Sequence, residues 1–259
     1  PAVELANPLS SELSQLRTTL LGSLLDVAGR NRARSASALR LFEAGAVYLR
    51  SGEPLPREPY YVAALIAGPV RPATWRDPEP RGADFFSAKG VLGGLLDALR
   101  IDWRVEPAAR PFLHPGRAAA VVVGDLGVGW LGELHPSVAE AIAGFEIDLD
   151  AVGEAAPAVY EDVTSLPAVR EDLAVVVSDD TAAADLLAVV RAAGAPLLAD
   201  ANVFDVYRDP DRVGAGKVSL AVRLTYRASD RTLTDADVAA KRAEIVTALE
   251  SQLGGVIRA

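Results

Sequence analysis

Near the C-terminal end of the chain, apolar and polar residues alternate without a break. Val218, Leu220, Val222, Leu224 and Tyr226 are separated by Lys217, Ser219, Ala221, Arg223 and Thr225, and Arg227 follows. A period of two held over this run predicts a strand with one dry and one wet face, because a helix would return its apolar positions every three or four residues. On either side the period changes. Leu186, Leu187 and Val190 predict a helix over residues 181–193, opened by Thr181 and stopped by Gly194 and Pro196. Val238, Ala239, Ile245, Val246, Leu249 and Leu253 predict another over residues 234–253, ended by Gly254-Gly255. With further strands expected at 173–177, 197–207 and 256–258, the order is β-α-β-β-α-β, the ferredoxin-like split β-α-β pattern. That arrangement hosts many activities and by itself assigns none.

Upstream, Leu9, Leu13, Leu16, Leu20, Leu24 and Val27 recur at spacings of three and four. They predict one amphipathic helix, entered through Asn7-Pro8 and interrupted near Gly22. Arg30, Arg32 and Arg34 follow as a basic stretch with two readings: a solvated helix end, where cations suit the dipole, or a contact with RNA or a partner. Strands are expected over 39–49, 60–67 and 105–107, with a helix from Asp84 to about Leu99. Residues 118–123 and 128–134 form a hairpin turned at Gly124-Asp125, followed by a helix at 137–143 and a strand at 145–149. Trp75, in the loop after the second strand, is a candidate surface aromatic. The fold class is α+β, with an antiparallel sheet domain over residues 1–155 and the ferredoxin-like domain over 164–259.

Composition narrows the chemistry. A chain of 259 residues is long enough for two cores, and it has no apolar run long enough to span a membrane. No signal peptide is visible, and a chain that starts at Pro1 reads as a fragment whose front is missing. The absence of Cys removes disulfides, thiolate nucleophiles and cysteine-held metals, in keeping with a cytoplasmic location. His114 and His135 are the only histidines and have no metal-type spacing, so no metal site is expected. Each precedes Pro, which favours a turn residue whose ring bonds local backbone over a general base. Residues 1–164 carry 15 Lys or Arg against 21 Asp or Glu, and residues 165–259 carry 11 against 14. Neither part has the basic field of an autonomous nucleic-acid binder, so any RNA contact has to be local or shared.

Short motifs add what periodicity cannot. In the ferredoxin-like part, Ser165-Leu166-Pro167-Ala168-Val169, Asp172-Leu173-Ala174, Phe204-Asp205-Val206-Tyr207, Lys217-Val218-Ser219-Leu220-Ala221 and Arg231-Thr232-Leu233-Thr234-Asp235 resemble the anticodon-binding domain of the bacterial phenylalanyl-tRNA synthetase β-subunit family. Where that family usually carries Arg before the Asp of the first strand, this chain has Glu171. The earlier part is similar to the same family's synthetase-like core. The carrying residues are Arg17-Thr18-Thr19-Leu20, Leu41-Phe42-Glu43-Ala44-Gly45, Asp84-Phe85-Phe86 with Lys89-Gly90, His114-Pro115-Gly116-Arg117, and Gly132-Glu133-Leu134-His135-Pro136.

The resemblance implies a degenerate class II synthetase-like domain that leaves adenylation, with its ATP and magnesium, to an α subunit in an α2β2 assembly. No Gly-x-Gly-x-x-Arg occurs downstream of Phe42-Glu43 to hold a triphosphate, so no catalytic residue is assigned and no cofactor is expected in this chain itself. Gly214-Ala215-Gly216-Lys217 lacks the spacing and following hydroxyl of a phosphate loop. The resemblance further implies binding of the tRNA(Phe) anticodon, and the inward packing of Val218, Leu220, Val222 and Leu224 leaves the open face of the second sheet as its expected place. Alternation points to Tyr207, Lys217, Arg223 and Arg227 there, a solvated or domain-packing face being the alternative. Leu16, Leu20, Leu41 and Phe42 are the candidates for contact with α. The competing functional reading is a free-standing regulatory or scaffold protein whose ferredoxin-like domain takes a small ligand.

Overall fold

The computed structural model describes residues 2–11, 14–158, 160 and 166–258; Leu13 and Ser165 lie outside the described residues. Two compact units divide the chain, Pro1–Val159 and Tyr160–Ala259.

The first unit is built on six antiparallel strands: β1 (Leu39–Ala46), β2 (Tyr60–Ala67), β3 (Trp103–Pro107), β4 (Leu113–Val123), β5 (Leu126–Leu134) and β6 (Ile142–Asp148). Their order in the sheet is β1-β2-β6-β5-β4-β3. Helix α1 (Leu21–Arg32) packs one face through Leu21, Leu24 and Ala28, against Leu65, Trp130 and Leu134. The opposite face is covered by α2 (Phe85–Ala98), whose Ala88, Leu92 and Leu96 meet Leu131, Phe145 and Ile147. Central strands covered on both sides are apolar on both sides: Ala63 to Ala67 of β2 and Ile142 to Ile147 of β6 are buried without alternation. A four-residue helix, α3 (Leu149–Val152), is capped by Asp148.

Two expectations for this unit fail for identifiable reasons. The helix expected over residues 9–27 is confined to α1, with Leu20 at its N-cap and no break at Gly22. Ahead of it, the Leu5 amide donates to Ser14 O, the Leu16 amide to Val3 O and the Tyr48 amide to Arg17 O, each at 2.8 Å. These groups, committed to extended pairings, are not free for a helical ladder, and Leu9 is 97% exposed. The helix expected over 137–143 is a turn, in which the His135 carbonyl accepts from the amides of Val138 and Ala139, and Ala141 adopts a positive φ of 54° before β6 begins. The basic stretch closes α1, with Arg30 and Arg32 in its last turn and Arg32 Nη2 donating to Glu140 O at 3.0 Å.

The second unit runs β7 (Val169–Ser178), α4 (Ala183–Gly194), β8 (Leu198–Tyr207), the short α5 (Pro210–Val213), β9 (Lys217–Tyr226), α6 (Asp235–Leu253) and β10 (Val256–Arg258). Its sheet order is β10-β7-β9-β8, wholly antiparallel, as a ferredoxin-like fold requires. Leu173, Val175 and Val177 of β7 and Val218, Leu220, Val222 and Leu224 of β9 pack beneath Leu186, Val190, Ile245 and Leu249 of the two long helices. Ala182, not Thr181, is the N-cap of α4, without a side-chain cap. The Arg231-to-Asp235 motif closes a capping box on α6: Asp237 N donates to Thr234 Oγ1, and Thr234 N donates back to Asp237 Oδ2. Arg231 adds a forked pair to the same carboxylate, at 2.7 and 2.9 Å. The left-handed Gly254 ends α6, as its place after the last periodic residue predicts.

Candidate nucleic-acid interface

In the second unit both long helices lie on one face of the sheet, so the side chains between the core positions form the other. Register places Asp172, Arg223 and Asn202 side by side across β7, β9 and β8, and Ser219 beside Tyr207. Arg223 donates from Nε to Asp172 Oδ1 at 2.8 Å and from Nη2 to Oδ2 at 2.7 Å. The bidentate fit holds the Asp172 carboxyl below its ordinary range and raises the guanidinium in turn. A register shift between Val203 and Asp205 lets the Phe204 ring lie under the Arg223 guanidinium, 4.7 Å from its centroid. Phe204 is 49% exposed. From the far edge of the sheet Arg258, on β10, reaches over Ala174 and Ala221 to within 5.5 Å of the Tyr207 ring centroid. The Tyr207 hydroxyl is anchored by donating to Asp209 Oδ2 at 2.8 Å.

Tyr207 and Arg223 share one face, and the register puts Lys217 on it as well, two residues from the Ser219 that pairs with Tyr207; the candidates furthest apart are Lys217 and Arg227. These two sit at opposite ends of β9 and just beyond it, roughly 30 Å apart at about 3.3 Å per residue. Arg223 is neutralised by Asp172. Arg258, like Lys217, makes no ion pair among the described residues and is a cation this face offers. Sequence reasoning missed Phe204, Arg258 and Asp172. Strict alternation would turn Phe204 inward, and the bulge that reverses it leaves no signal in the residue types.

The partner-facing candidates of the first unit also separate. Leu20 is 0% exposed and belongs to the core under α1, so it presents no surface. Leu16 is half-buried in the extended segment before α1. Leu41 packs partly on the α1 side of the edge strand β1, whereas Phe42, on the opposite side, is 78% exposed. Trp75 is exposed, with Arg76 stacked 4.8 Å above it. The family-like motifs serve as joints. Glu133 accepts from Arg117 Nη1 at 2.6 Å and from the Phe85 amide at 3.1 Å, tying together three separated stretches. His114, at the irregular start of β4, accepts at Nδ1 from the Gly116 amide at 3.2 Å, and His135, entering the turn after β5, accepts at Nδ1 from the Ser137 amide at 3.2 Å. Among the described residues no group of three or more His, Cys, Asp or Glu could hold a metal ion, and no helix is long and apolar enough to cross a membrane.

An antiparallel six-stranded domain is followed by a ferredoxin-like module with an aromatic, arginine-bearing sheet face, and the family models place both in the tRNA-synthetase class. Residues 1–149 match the family model described as phenylalanyl tRNA synthetase beta chain CLM domain, and residues 164–258 match the ferredoxin-fold anticodon binding domain. The chain belongs to the phenylalanyl-tRNA synthetase β-chain family. It is 40% identical to the phenylalanine-tRNA ligase beta subunit of Geobacillus kaustophilus, over 99% of this chain and 33% of that protein. It is 44% identical to that of Symbiobacterium thermophilum, over 98% of this chain and 29% of the relative. The chain thus spans about a third of the length of these relatives. A pyrrolysyl tRNA synthetase structure from Desulfitobacterium hafniense overlaps 56% of this chain and 51% of that one at 15% identity and a TM-score of 0.39, too slight a likeness to carry an argument. Family membership favours a β-chain segment over a free-standing scaffold protein.

Proposed function

We propose that the outer face of the second sheet grips the anticodon loop of tRNA(Phe), within a ligase whose adenylation, ATP and magnesium belong to an α subunit. One observation carries this reading: two aromatic rings, Phe204 and Tyr207, lie on a face that neither helix of the unit covers, each with a guanidinium stacked on it. Unstacked bases bind such platforms, at about 1 to 3 kcal/mol per base. With a net excess of acids in this part of the chain, contact is local, and the remaining phosphate contacts come from elsewhere in a cytoplasmic α2β2 assembly. The first unit supplies the surface for α, through Leu16, Leu41 and above all the exposed Phe42.

The test is a comparison of tRNA(Phe) transcripts with natural and replaced anticodon loops, titrated against this chain at low salt. Weaker binding of the replaced loop is expected. Equal affinity for both would overturn the assignment of the sheet face to the anticodon.

A further inference from the structure

On the α1 side of the first sheet a cleft of about 500 Å³ opens over β2, β5 and β6. At its floor Glu146 is 5% exposed, although it is a carboxylate. One oxygen, Oε2, is fully used, accepting from Thr19 Oγ1 and from the Leu20 amide, both at 2.7 Å. Among the described residues Oε1 accepts no hydrogen bond, and Glu146 lines the cleft. Asp148 stands two residues along the same strand face, its Oδ1 capping the amides of Asp150 and Ala151 and its Oδ2 accepting nothing among the described residues. Tyr61 feels both acids, and its hydroxyl is pushed up by burial first and then by Asp148 and Glu146. The apolar wall is Phe112 edge-on to Trp130, ring centroids 5.2 Å apart.

Glu146 Oε1, open to the cleft and bonded by no described group, is available to a ligand donor while Oε2 is already saturated. Of the lining side chains two are acidic and one, Arg110, is basic, so a cation is favoured over an anion. The two free oxygens belong to separate side chains and call for donors that diverge from one point, as on an ammonium group, and not for the planar fork of a guanidinium. A bare divalent ion would find only two carboxylates here, too few oxygen ligands to replace its water. We infer that this cleft binds a small primary ammonium compound with an apolar body, its –NH3+ held by Glu146 Oε1 and Asp148 Oδ2 and its body against Phe112 and Trp130. The inference does not depend on the RNA reading of the second unit.

Benzylamine, benzyl alcohol and benzoate share one body and differ in charge, so their calorimetric titration into this chain isolates the ammonium. Benzylamine is expected to bind and the other two to bind at least tenfold more weakly. Glu146→Gln keeps an oxygen for Thr19 and Leu20 but loses the charge, and should weaken benzylamine at least tenfold. Should that variant fail to fold, Thr18→Lys is the second arm. Thr18 is exposed on the cleft rim and its side chain makes no hydrogen bond among the described residues, so the new ammonium would fill the site and abolish binding. No detectable binding of benzylamine, equal binding of benzoate or benzyl alcohol, or parental affinity in either folded variant would each overturn the inference.

Discussion

The guanidinium of Arg17 lies across Gly45, so close that a β-carbon there would stand 2.5 Å from Nη2. From this position Arg17 donates to the Ala46 carbonyl at 2.9 Å and to the Glu43 carboxylate, which also accepts from the Ser23 hydroxyl. The arginine motif before α1 and the Leu-Phe-Glu-Ala-Gly strand are one joint, and the glycine is the space it needs. Gly45→Ala should displace the Arg17 guanidinium and lower stability by about 1 kcal/mol or less, the worth of a part-exposed ion pair. Denaturant midpoints would measure this, and an unchanged midpoint would mean the guanidinium has another seat.

Asp172 holds the Arg223 guanidinium on the face proposed for RNA. Replacing it as Asp172→Asn should strengthen tRNA binding and steepen the salt dependence by about one unit, because one more guanidinium becomes free to displace a counterion. Arg258→Ala should flatten the slope by about one unit. Tyr207→Ala is expected to weaken binding by about 1 to 3 kcal/mol with the slope unchanged. Titrations at two salt concentrations separate these effects.

The start of α6 depends on Asp237, whose carboxyl is held far below the ordinary carboxylate range by hydrogen bonds from Arg231 first and then Thr234. A depressed folded-state value means the contribution is complete above the unfolded value near 4 and is lost as pH falls below it. Asp237→Asn should therefore unfold at lower denaturant than the parent at pH 7 and converge with it towards pH 2. Thr234→Ala should cost about 1 kcal/mol at neutral pH.

Tyr226 is 0% exposed, and its hydroxyl has no hydrogen-bond partner among the described residues. Burial, with Glu171 nearby, pushes the phenol up to about 12. Because the unfolded chain would ionise it near 10, stability should fall as pH rises from about 10 to 12. Tyr226→Phe should remove that fall and stabilise the neutral protein by about 1 kcal/mol, since an unsatisfied hydroxyl leaves the core. A destabilised phenylalanine variant would reveal a partner for the hydroxyl.

The second unit was legible because its strands alternate and its helices carry capping residues and terminal glycines; β9 and the end of α6 could be read from residue types alone. The opening of the chain was not. Leucines at helical spacing serve there in different settings, Leu9 in solvent, Leu20 in the core and Leu24 on α1, and only long-range bonds such as Leu20 N to Glu146 distinguish them. On the outer face of the second sheet the sequence pointed to Tyr207 and Arg223 but could not reveal their neighbours. Phe204 turns outward through a bulge, and Arg258 arrives on a three-residue strand too short to show a period.

Glu133 has two clients and two oxygens, one for each: Oε2 for Arg117 and Oε1 for the Phe85 amide. Glutamine has the same shape but a single acceptor, and its amide nitrogen would have to face either a guanidinium or a backbone N–H, donor against donor. The position thus distinguishes two side chains that differ in one atom. Drift at Glu133 would have to be matched at residue 117, since the donor from α2 is a backbone N–H that any residue but proline supplies, so two distant stretches of the gene are constrained to change together.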